Sequence, residues 1–195
     1  MDRGLTPSGR LLAAWLASLL ALSGCTPLFI GGTATGASIL NDHRSVGAVV
    51  NDTLIKFRIE AMISARHHLH HDTHVDATSV NGLVLLTGEA YSTADRNRIL
   101  TLVRGIHGVR RIVNQLRLVP PSSFSQRLTD SWITLRVKSS LVAHGINANQ
   151  IKVVTADRVV YLLGLVTKDI GDKAALAASE IPHVRSIIEL FEYPS

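Results

Sequence analysis

Cysteine is almost absent from this chain of 195 residues, in which Cys25 stands alone. A single cysteine cannot close an intrachain disulfide, so a small disulfide-stabilised fold is excluded. The motifs of common enzymes are missing too. There is no Gly-x-Ser-x-Gly nucleophile motif, and the glycine-rich stretch at 31–36 lacks the lysine of a phosphate-binding loop. Acidic residues are scattered, without an obvious carboxylate pair. We therefore expect a protein that is not an enzyme and requires no cofactor.

Hydrophobic runs long enough to span a bilayer are also lacking. The main apolar run, residues 11–22, is too short for this and follows the cations Arg3 and Arg10, as in a signal peptide. It leads into Leu-Ser-Gly-Cys ending at Cys25, which resembles the bacterial lipobox. We predict that residues 1–24 are removed and that Cys25 is acylated, with palmitate among its fatty acids. The alternative is an uncleaved anchor with an unused thiol.

The residues after Cys25 predict the membrane in which the protein resides and a flexible tether. Thr26 replaces the aspartate that retains lipoproteins in the inner membrane. This favours the inner leaflet of the outer membrane, with the chain facing the periplasm. Residues 25–50 combine glycines with Thr, Ala and Ser, which is typical of a flexible linker. The alternative is that residues 29–39 pack against the folded body.

Charge is low and slightly positive, at a formal net +5. A mildly basic protein favours anionic lipid surfaces over cationic partners. The basic residues do not cluster as a groove-reading element requires, and nucleic acid is not expected in the periplasm. Nucleic acid is therefore not an expected partner.

An internal repeat organises the rest of the chain. Residues 52–59 match residues 130–137 at a constant offset, and each copy has the pattern helix, strand, strand, helix, strand. We predict an α+β fold with two modules, 51–119 and 128–195, joined by a linker at 120–127. Each module should have a small three-stranded sheet packed on two helices. Modules of this size have barely enough core to fold alone, so we expect them to pack together.

The repeat also predicts its turns. Asn81-Gly82 is the strongest hairpin signal in the chain, because both residues accept positive φ. Aligning Val75 with Val153 leaves the second copy two residues short, and we expect the missing pair to be this turn.

The helix over residues 128–143 has two apolar faces, where an amphipathic helix needs one. One face, Ile133, Val137 and Leu141, has the spacing of a core face. The other, which we call the Trp132 stripe, consists of Leu128, Trp132, Leu135 and Val142. Arg136 and Lys138 flank this stripe. A membrane surface or a neighbouring domain would explain it.

The first module contains an equivalent face, the Leu54 stripe, at Val50, Leu54, Phe57 and Ser64. Its flanking residues differ, since Glu60 occupies the place of Lys138. A carboxylate would repel anionic headgroups, so the second module is the better candidate for lipid contact. We expect the Leu54 stripe to contribute to packing between the modules instead.

Short motifs after the strands carry a family resemblance. Gly88-x-Ala90, Gly108-Val109 and Val113-Asn114 resemble the BON domain. Together with the repeat, the lipobox and residues 42–47, they resemble the dual-BON outer-membrane lipoproteins associated with division and outer-membrane stress. The second copy departs from the pattern, with His183 in place of Gly108 and Glu189 in place of Asn114.

The resemblance implies that the second module binds anionic phospholipid and that the protein supports outer-membrane integrity. Phosphatidylglycerol and cardiolipin are the expected lipids, and envelope or division-site proteins are further candidate partners. The candidate lipid-binding residues are Leu128, Trp132, Leu135, Arg136, Lys138, Ser139 and Val142. A rival reading makes the same face the docking surface of an envelope scaffold protein.

Histidines concentrate at residues 67–74, where one-turn spacing on a helix could chelate Zn²⁺ or Cu²⁺. The alternative is a solvated helix end with adventitious affinity, because a structural site usually brings a separated second ligand pair. We expect no functional metal, and metal stoichiometry after a chelator wash distinguishes the two readings.

The lipobox generates the first prediction. Cys25→Ala should leave unprocessed precursor, because the thiol that accepts the lipid and directs cleavage is gone. Gel mobility and membrane fractionation measure this outcome. Normal cleavage together with normal membrane association of the variant would contradict lipidation at Cys25.

Overall fold

The computed structural model describes residues 46–66 and 73–194. Cys25, most of the predicted tether and the histidines from His67 to His71 lie outside these residues. The elements, in chain order, are α1 (Val46–Ser64), β1 (His74–Val80), β2 (Leu83–Glu89), α2 (Thr93–Arg104), β3 (Arg111–Arg117), α3 (Phe124–Ala143), β4 (Lys152–Ala156), β5 (Val159–Leu165), α4 (Lys168–Ser179) and β6 (Ser186–Glu192). None of the described helices is long and apolar enough to cross a membrane.

Two copies of one topology follow each other, which confirms the predicted α+β fold of two modules. In the first, β1 pairs antiparallel with β2, and β2 pairs parallel with β3. The second repeats this order with β4, β5 and β6. Parallel pairing of the last two strands needs a crossover, and α2 and α4 provide it.

The hairpin turn is present in both modules, which corrects the predicted deletion. Asn81 and Gly82 have φ of 52° and 73°, and Asp157 and Arg158 have φ of 50° and 61°. The second module is shorter upstream of the turn instead, since β4 has 5 residues where β1 has 7. The sheet register pairs Ala77 with Leu86 and Val153 with Leu162. The equivalent of Val153 is therefore Ala77, and the predicted alignment of Val153 with Val75 was wrong by two residues. The turn fixes the register of a hairpin, so the two copies have to be aligned from the turn and not from the start of the first strand.

Each module builds one core between its helices and one face of its sheet. In module 2 the predicted face of α3, Ile133, Val137 and Leu141, is fully buried against Val160 and Leu162 of β5. In module 1, Ile55 and Ile59 of α1 pack in the same way on their sheet. Burial of several aliphatic side chains, at about 2 kcal/mol each, holds the helices in place.

The other faces of the two sheets pack on each other. Alternate residues of the central strands, Leu83 and Leu85 in β2 and Val159, Tyr161 and Leu163 in β5, form this third buried cluster. Each central strand is thus buried on both faces, and the layers run helix, sheet, sheet, helix. Burial between the sheets raises the pKa of Tyr161, while Arg185 and Arg117 oppose the shift. The folded state therefore favours the neutral phenol, and this contribution is lost as the pH rises through the raised pKa.

Charged pairs join the modules at both ends of the sandwich. Arg117, at the end of β3, lies 2.6 Å from the carboxylate of Asp157 in the turn of module 2. Glu192, at the equivalent end of β6, accepts a hydrogen bond from the Asn81 amide in the turn of module 1 and pairs with Arg110 at 3.2 Å. The two contacts occupy equivalent places. The strand-end residue is a cation in module 1 and an anion in module 2, and each binds a polar residue in the turn of the other module.

An aspartate in the first helix of each module binds the turn of the hairpin. The carboxylate of Asp52 accepts hydrogen bonds from the Ser79 hydroxyl and from the backbone N–H groups of Asn81 and Gly82, at 2.6, 2.6 and 2.9 Å. Asp130 accepts the equivalent backbone bonds from Asp157 and Arg158, at 2.8 and 2.7 Å. These bonds explain why the repeat retains an aspartate at this position, since turn N–H groups held at positive φ would otherwise lack an acceptor.

The helix boundaries extend beyond the modules proposed from the sequence. Helix α3 begins at Phe124, inside the expected linker, because Ser123 and Gln126 form a reciprocal capping box. Helix α1 begins at Val46, inside the expected tether. Among the described residues, the three buried clusters lie within residues 55–191.

The turn contacts generate the second prediction. Asp52→Ala should lower the free energy of unfolding by about 2–3 kcal/mol, because it leaves a serine and two backbone donors of the hairpin unsatisfied. Urea denaturation measures the change. Thr53→Ala, on the exposed side of the same helix turn, is the matched control and should shift stability by less than about 0.5 kcal/mol. Equal midpoints for the two variants would show that the turn does not depend on Asp52.

Candidate functional site

The Trp132 stripe lies on the side of α3 that faces away from the core. Leu128, Trp132, Leu135 and Val142 are 53%, 43%, 63% and 61% exposed, whereas the three core residues of the same helix are fully buried. The two faces predicted from the sequence are therefore both present. Four large apolar side chains on one exposed face are more than folding requires.

Cations flank the stripe in two different ways. The guanidinium of Arg136 lies 5.5 Å from the ring centroid of Trp132, a cation–π distance. Lys138 is exposed, and no described acidic side chain forms an ion pair with it. Ser139 donates its hydroxyl hydrogen bond to the carbonyl of Leu135 at 3.0 Å, so this side chain is engaged with its own helix.

A pocket of about 580 Å³ opens beside Trp132 at the start of the stripe. Leu128, Thr129 and Trp132 line it from α3, Arg158 from the β4–β5 turn and His183 from the loop before β6. The rings of Trp132 and His183 are 6.2 Å apart and tilted by 59°. Sequence reasoning missed Arg158 and His183 as site residues, because they reach Trp132 from separate loops. The only signal was that His183 departs from the glycine of the first copy.

The Leu54 stripe is also exposed, which corrects its expected role. Val50, Leu54 and Phe57 are 54%, 45% and 61% exposed, so they do not cover the second module. The modules dock through their sheets, and this leaves both first helices on outer layers. At the edge of the Leu54 stripe, Lys56 lies 3.6 Å from Glu60 in an exposed ion pair. This carboxylate has no counterpart beside the Trp132 stripe, where Lys138 occupies the equivalent position.

Metal ligands are not assembled in the part of the chain that the structure describes. Within residues 46–66 and 73–194, no group of three or more His, Cys, Asp or Glu side chains is placed to hold an ion. His74, the described member of the histidine cluster, begins β1 and lies 3.3 Å from Asp76. The other histidines of the cluster lie outside the described residues.

Two segments of the chain, residues 51–120 and 129–194, match the model of the BON domain. The chain belongs to the BON-domain family. Each matched segment covers one module of the fold, from its first helix to its last strand. The resemblance drawn from short glycine motifs is thereby confirmed for both copies, including the second with its departures at His183 and Glu189.

Relatives that align with most of the chain support a narrower assignment. The chain is 34% identical over 183 residues to the outer membrane lipoprotein DolP of Haemophilus influenzae, which spans 93% of this chain and 95% of that protein. It is 31% identical over 153 residues to the 21 kDa hemolysin of Actinobacillus pleuropneumoniae, covering 78% and 79% of the two chains. It is 24% identical over 158 residues to osmotically-inducible protein Y of Escherichia coli, covering 79% and 78%.

The chain is accordingly a dual BON-domain lipoprotein of the outer membrane, and a non-enzymatic protein of the cell envelope. The location predicted from the lipobox and Thr26 is confirmed by the relationship to the Haemophilus lipoprotein.

The exposure of both stripes generates the third prediction. Leu54→Glu and Leu135→Glu should each change the free energy of unfolding by less than about 1 kcal/mol, because neither side chain belongs to a buried cluster. Ile133→Ala, on the core face of the same helix as Leu135, should cost about 2–5 kcal/mol. Urea denaturation of the three variants measures this contrast. A large loss for Leu54→Glu alone would mean that the Leu54 stripe packs against part of the protein after all.

Proposed function

We propose that the Trp132 stripe binds the surface of anionic phospholipid bilayers and that this binding supports outer-membrane integrity. The observation that carries the proposal is Trp132 itself, an aromatic residue 43% exposed on the face of α3 opposite the core. A Trp at headgroup depth buries its ring while its N–H stays near polar groups. Phosphatidylglycerol and cardiolipin are the expected lipids.

The rest of the stripe fits the same interface. Leu128, Leu135 and Val142 extend the apolar face along α3 and would enter the boundary between headgroups and acyl chains, as interfacial helices do. Arg136 and Lys138 would neutralise lipid phosphates, at about 1 kcal/mol for each cation near an anionic surface. The Leu54 stripe has no Trp, and Glu60 occupies the place that Lys138 has beside the Trp132 stripe.

Position in the fold also supports this assignment. Because the sheets bury each other, α3 lies on an outer layer, and none of the other described helices and strands buries the Trp132 stripe. The stripe would therefore be able to meet a flat surface. The core face of the helix keeps α3 folded whether or not lipid is bound. The rival function is a scaffold on which an envelope protein docks against the same apolar face. Binding to pure lipid vesicles distinguishes the two.

The fourth prediction tests the stripe directly. In a soluble body that consists of residues 26–195, and so lacks the predicted signal peptide and Cys25, Trp132→Glu should abolish co-sedimentation with vesicles that contain phosphatidylglycerol, because it places a carboxylate at the phosphate level. Lys138→Glu should weaken binding, and added salt should weaken it further by screening. Leu54→Glu, the equivalent change in module 1, is the matched control and should bind like the parent protein.

Fluorescence gives a second readout, since Trp132 is the sole Trp of the body. Its emission should shift to the blue with anionic vesicles and not with phosphatidylcholine vesicles. A body that does not bind anionic vesicles, with unchanged emission, would reject lipid binding and leave the protein scaffold as the better reading.

A further inference from the structure

The two modules differ most sharply at the corner where the first helix meets the hairpin turn and the loop before the last strand. Three equivalent positions form this corner. They are Asn51, Gly82 and Gly108 in module 1, and Thr129, Arg158 and His183 in module 2. The equivalence follows from the backbone, because Arg110 N–H bonds to the Gly82 carbonyl at 2.8 Å and Arg185 N–H bonds to the Arg158 carbonyl at 2.7 Å.

In module 1 the corner is closed. A Cβ atom on Gly108 would lie 2.6 Å from Nδ2 of Asn51, and a Cβ on Gly82 would lie 2.6 Å from the Gly108 carbonyl oxygen. Asn51 and the two glycines are thus in close contact. In module 2 the shorter Thr129 replaces Asn51, and Arg158 and His183 extend side chains where module 1 has none. The result is the pocket beside Trp132.

The backbone at these positions still has the conformation that suits glycine. Arg158 and His183 have φ of 61° and 69°, while Gly82 and Gly108 have φ of 73° and 93°. A residue with a Cβ in this left-handed region costs about 1–2 kcal/mol. Module 2 carries this cost at two positions where module 1 has glycine. In the described part of the chain, neither the guanidinium of Arg158 nor the imidazole of His183 has a hydrogen bond or ion pair. Unfavourable backbone conformations of this kind concentrate at ligand-binding sites.

The chemistry of the pocket matches a phosphate ester. Arg158 offers planar paired donors of the kind that bind phosphate oxygens, and His183 adds a ring nitrogen donor. Trp132 and Leu128 provide an apolar floor that continues into the stripe. The hydroxyl of Thr129 donates a hydrogen bond to the Ser125 carbonyl at 3.0 Å. Thr129 therefore leaves space in the pocket but does not offer its hydroxyl hydrogen to a ligand.

The cations on α3 itself are less suited to hold one headgroup. Arg136 stacks on Trp132. Lys138 is two residues further along the helix, which places it about 160° away around the axis. These two residues therefore flank the stripe on opposite sides, whereas Arg158 and His183 meet at one pocket.

We propose that Arg158 and His183 form a headgroup subsite that binds the phosphodiester of one anionic phospholipid, with the glycerol against Trp132 and the acyl chains directed along the stripe. This inference rests on the proposed lipid-binding function and adds a discrete site to it. The second module would thus combine insertion into the bilayer with recognition of a headgroup.

The test replaces the two subsite residues with glycine, the residue that module 1 has at both equivalent positions. In the soluble body, Arg158→Gly with His183→Gly should weaken binding to phosphatidylglycerol vesicles by about tenfold or more, because two donors to the phosphate are lost. The unfolding midpoint in urea should stay equal or rise, since glycine relieves both positive-φ positions. A structural role for the two side chains would lower that midpoint instead. Arg104→Gln, an exposed cation at the end of α2, is the charge-matched control and should bind within about twofold of the parent.

Three outcomes would overturn the subsite, each in a distinguishable way. If Trp132→Glu abolishes binding but the double glycine variant binds like the parent, the stripe binds lipid without this pocket. If the parent also binds phosphatidylcholine vesicles and the double variant loses affinity for both kinds of vesicle equally, the pocket does not select anionic headgroups. If inorganic phosphate at constant ionic strength saturably changes Trp132 fluorescence in the parent and not in the double variant, a free anion is the occupant. A parent body that binds no vesicles rejects the proposed function itself, and the subsite with it.

Discussion

Packing of one sheet on the other is the interaction on which the rest of this protein depends. Each module has a three-stranded sheet with two helices on one face, which leaves the second face apolar and uncovered. Leu83 and Leu85 from one sheet meet Tyr161 and Leu163 from the other, so each module covers the face that its partner exposes. Modules of this size have small cores, and mutual burial supplies what each lacks. The Arg117–Asp157 ion pair and the hydrogen bond from Asn81 to Glu192 add complementarity at the two ends.

This docking has a consequence for function, because it occupies the sheets and leaves the first helices on outer layers. Both helices therefore present an exposed apolar stripe. The modules have diverged at the edges of these stripes. Module 1 has an exposed Lys56–Glu60 pair and a closed glycine corner. Module 2 has Trp132 under Arg136, an exposed Lys138 and a pocket with Arg158 and His183. The proposed lipid binding rests on these features of module 2, which module 1 lacks.

Local sequence patterns predicted much of this arrangement. The period of the apolar residues in α3 separated a core face at Ile133, Val137 and Leu141 from an outward face at Trp132, and burial follows that division. The expected place of the Leu54 stripe between the modules was wrong for a physical reason. An apolar helix face and an apolar sheet face look alike in a sequence, and only the assembled layers show which of them meets its counterpart. The misplaced deletion has a similar origin, since strand register depends on the turn, and the turn of module 2 is built from Asp157 and Arg158 instead of Asn-Gly.

The sequence by itself determined the repeat, the α+β class, the family and the two faces of α3, because each depends on residues close together in the chain. Tertiary structure decided how the modules dock and which side chains surround Trp132. Arg158 and His183 come from two loops, and only the closure of the sheet by β6 brings them to the start of α3. Nothing in the sequence indicates their positive φ angles, except that His183 stands where the first copy has a glycine. Contacts that depend on distant segments meeting in space are set by the packing of layers, which no local pattern encodes.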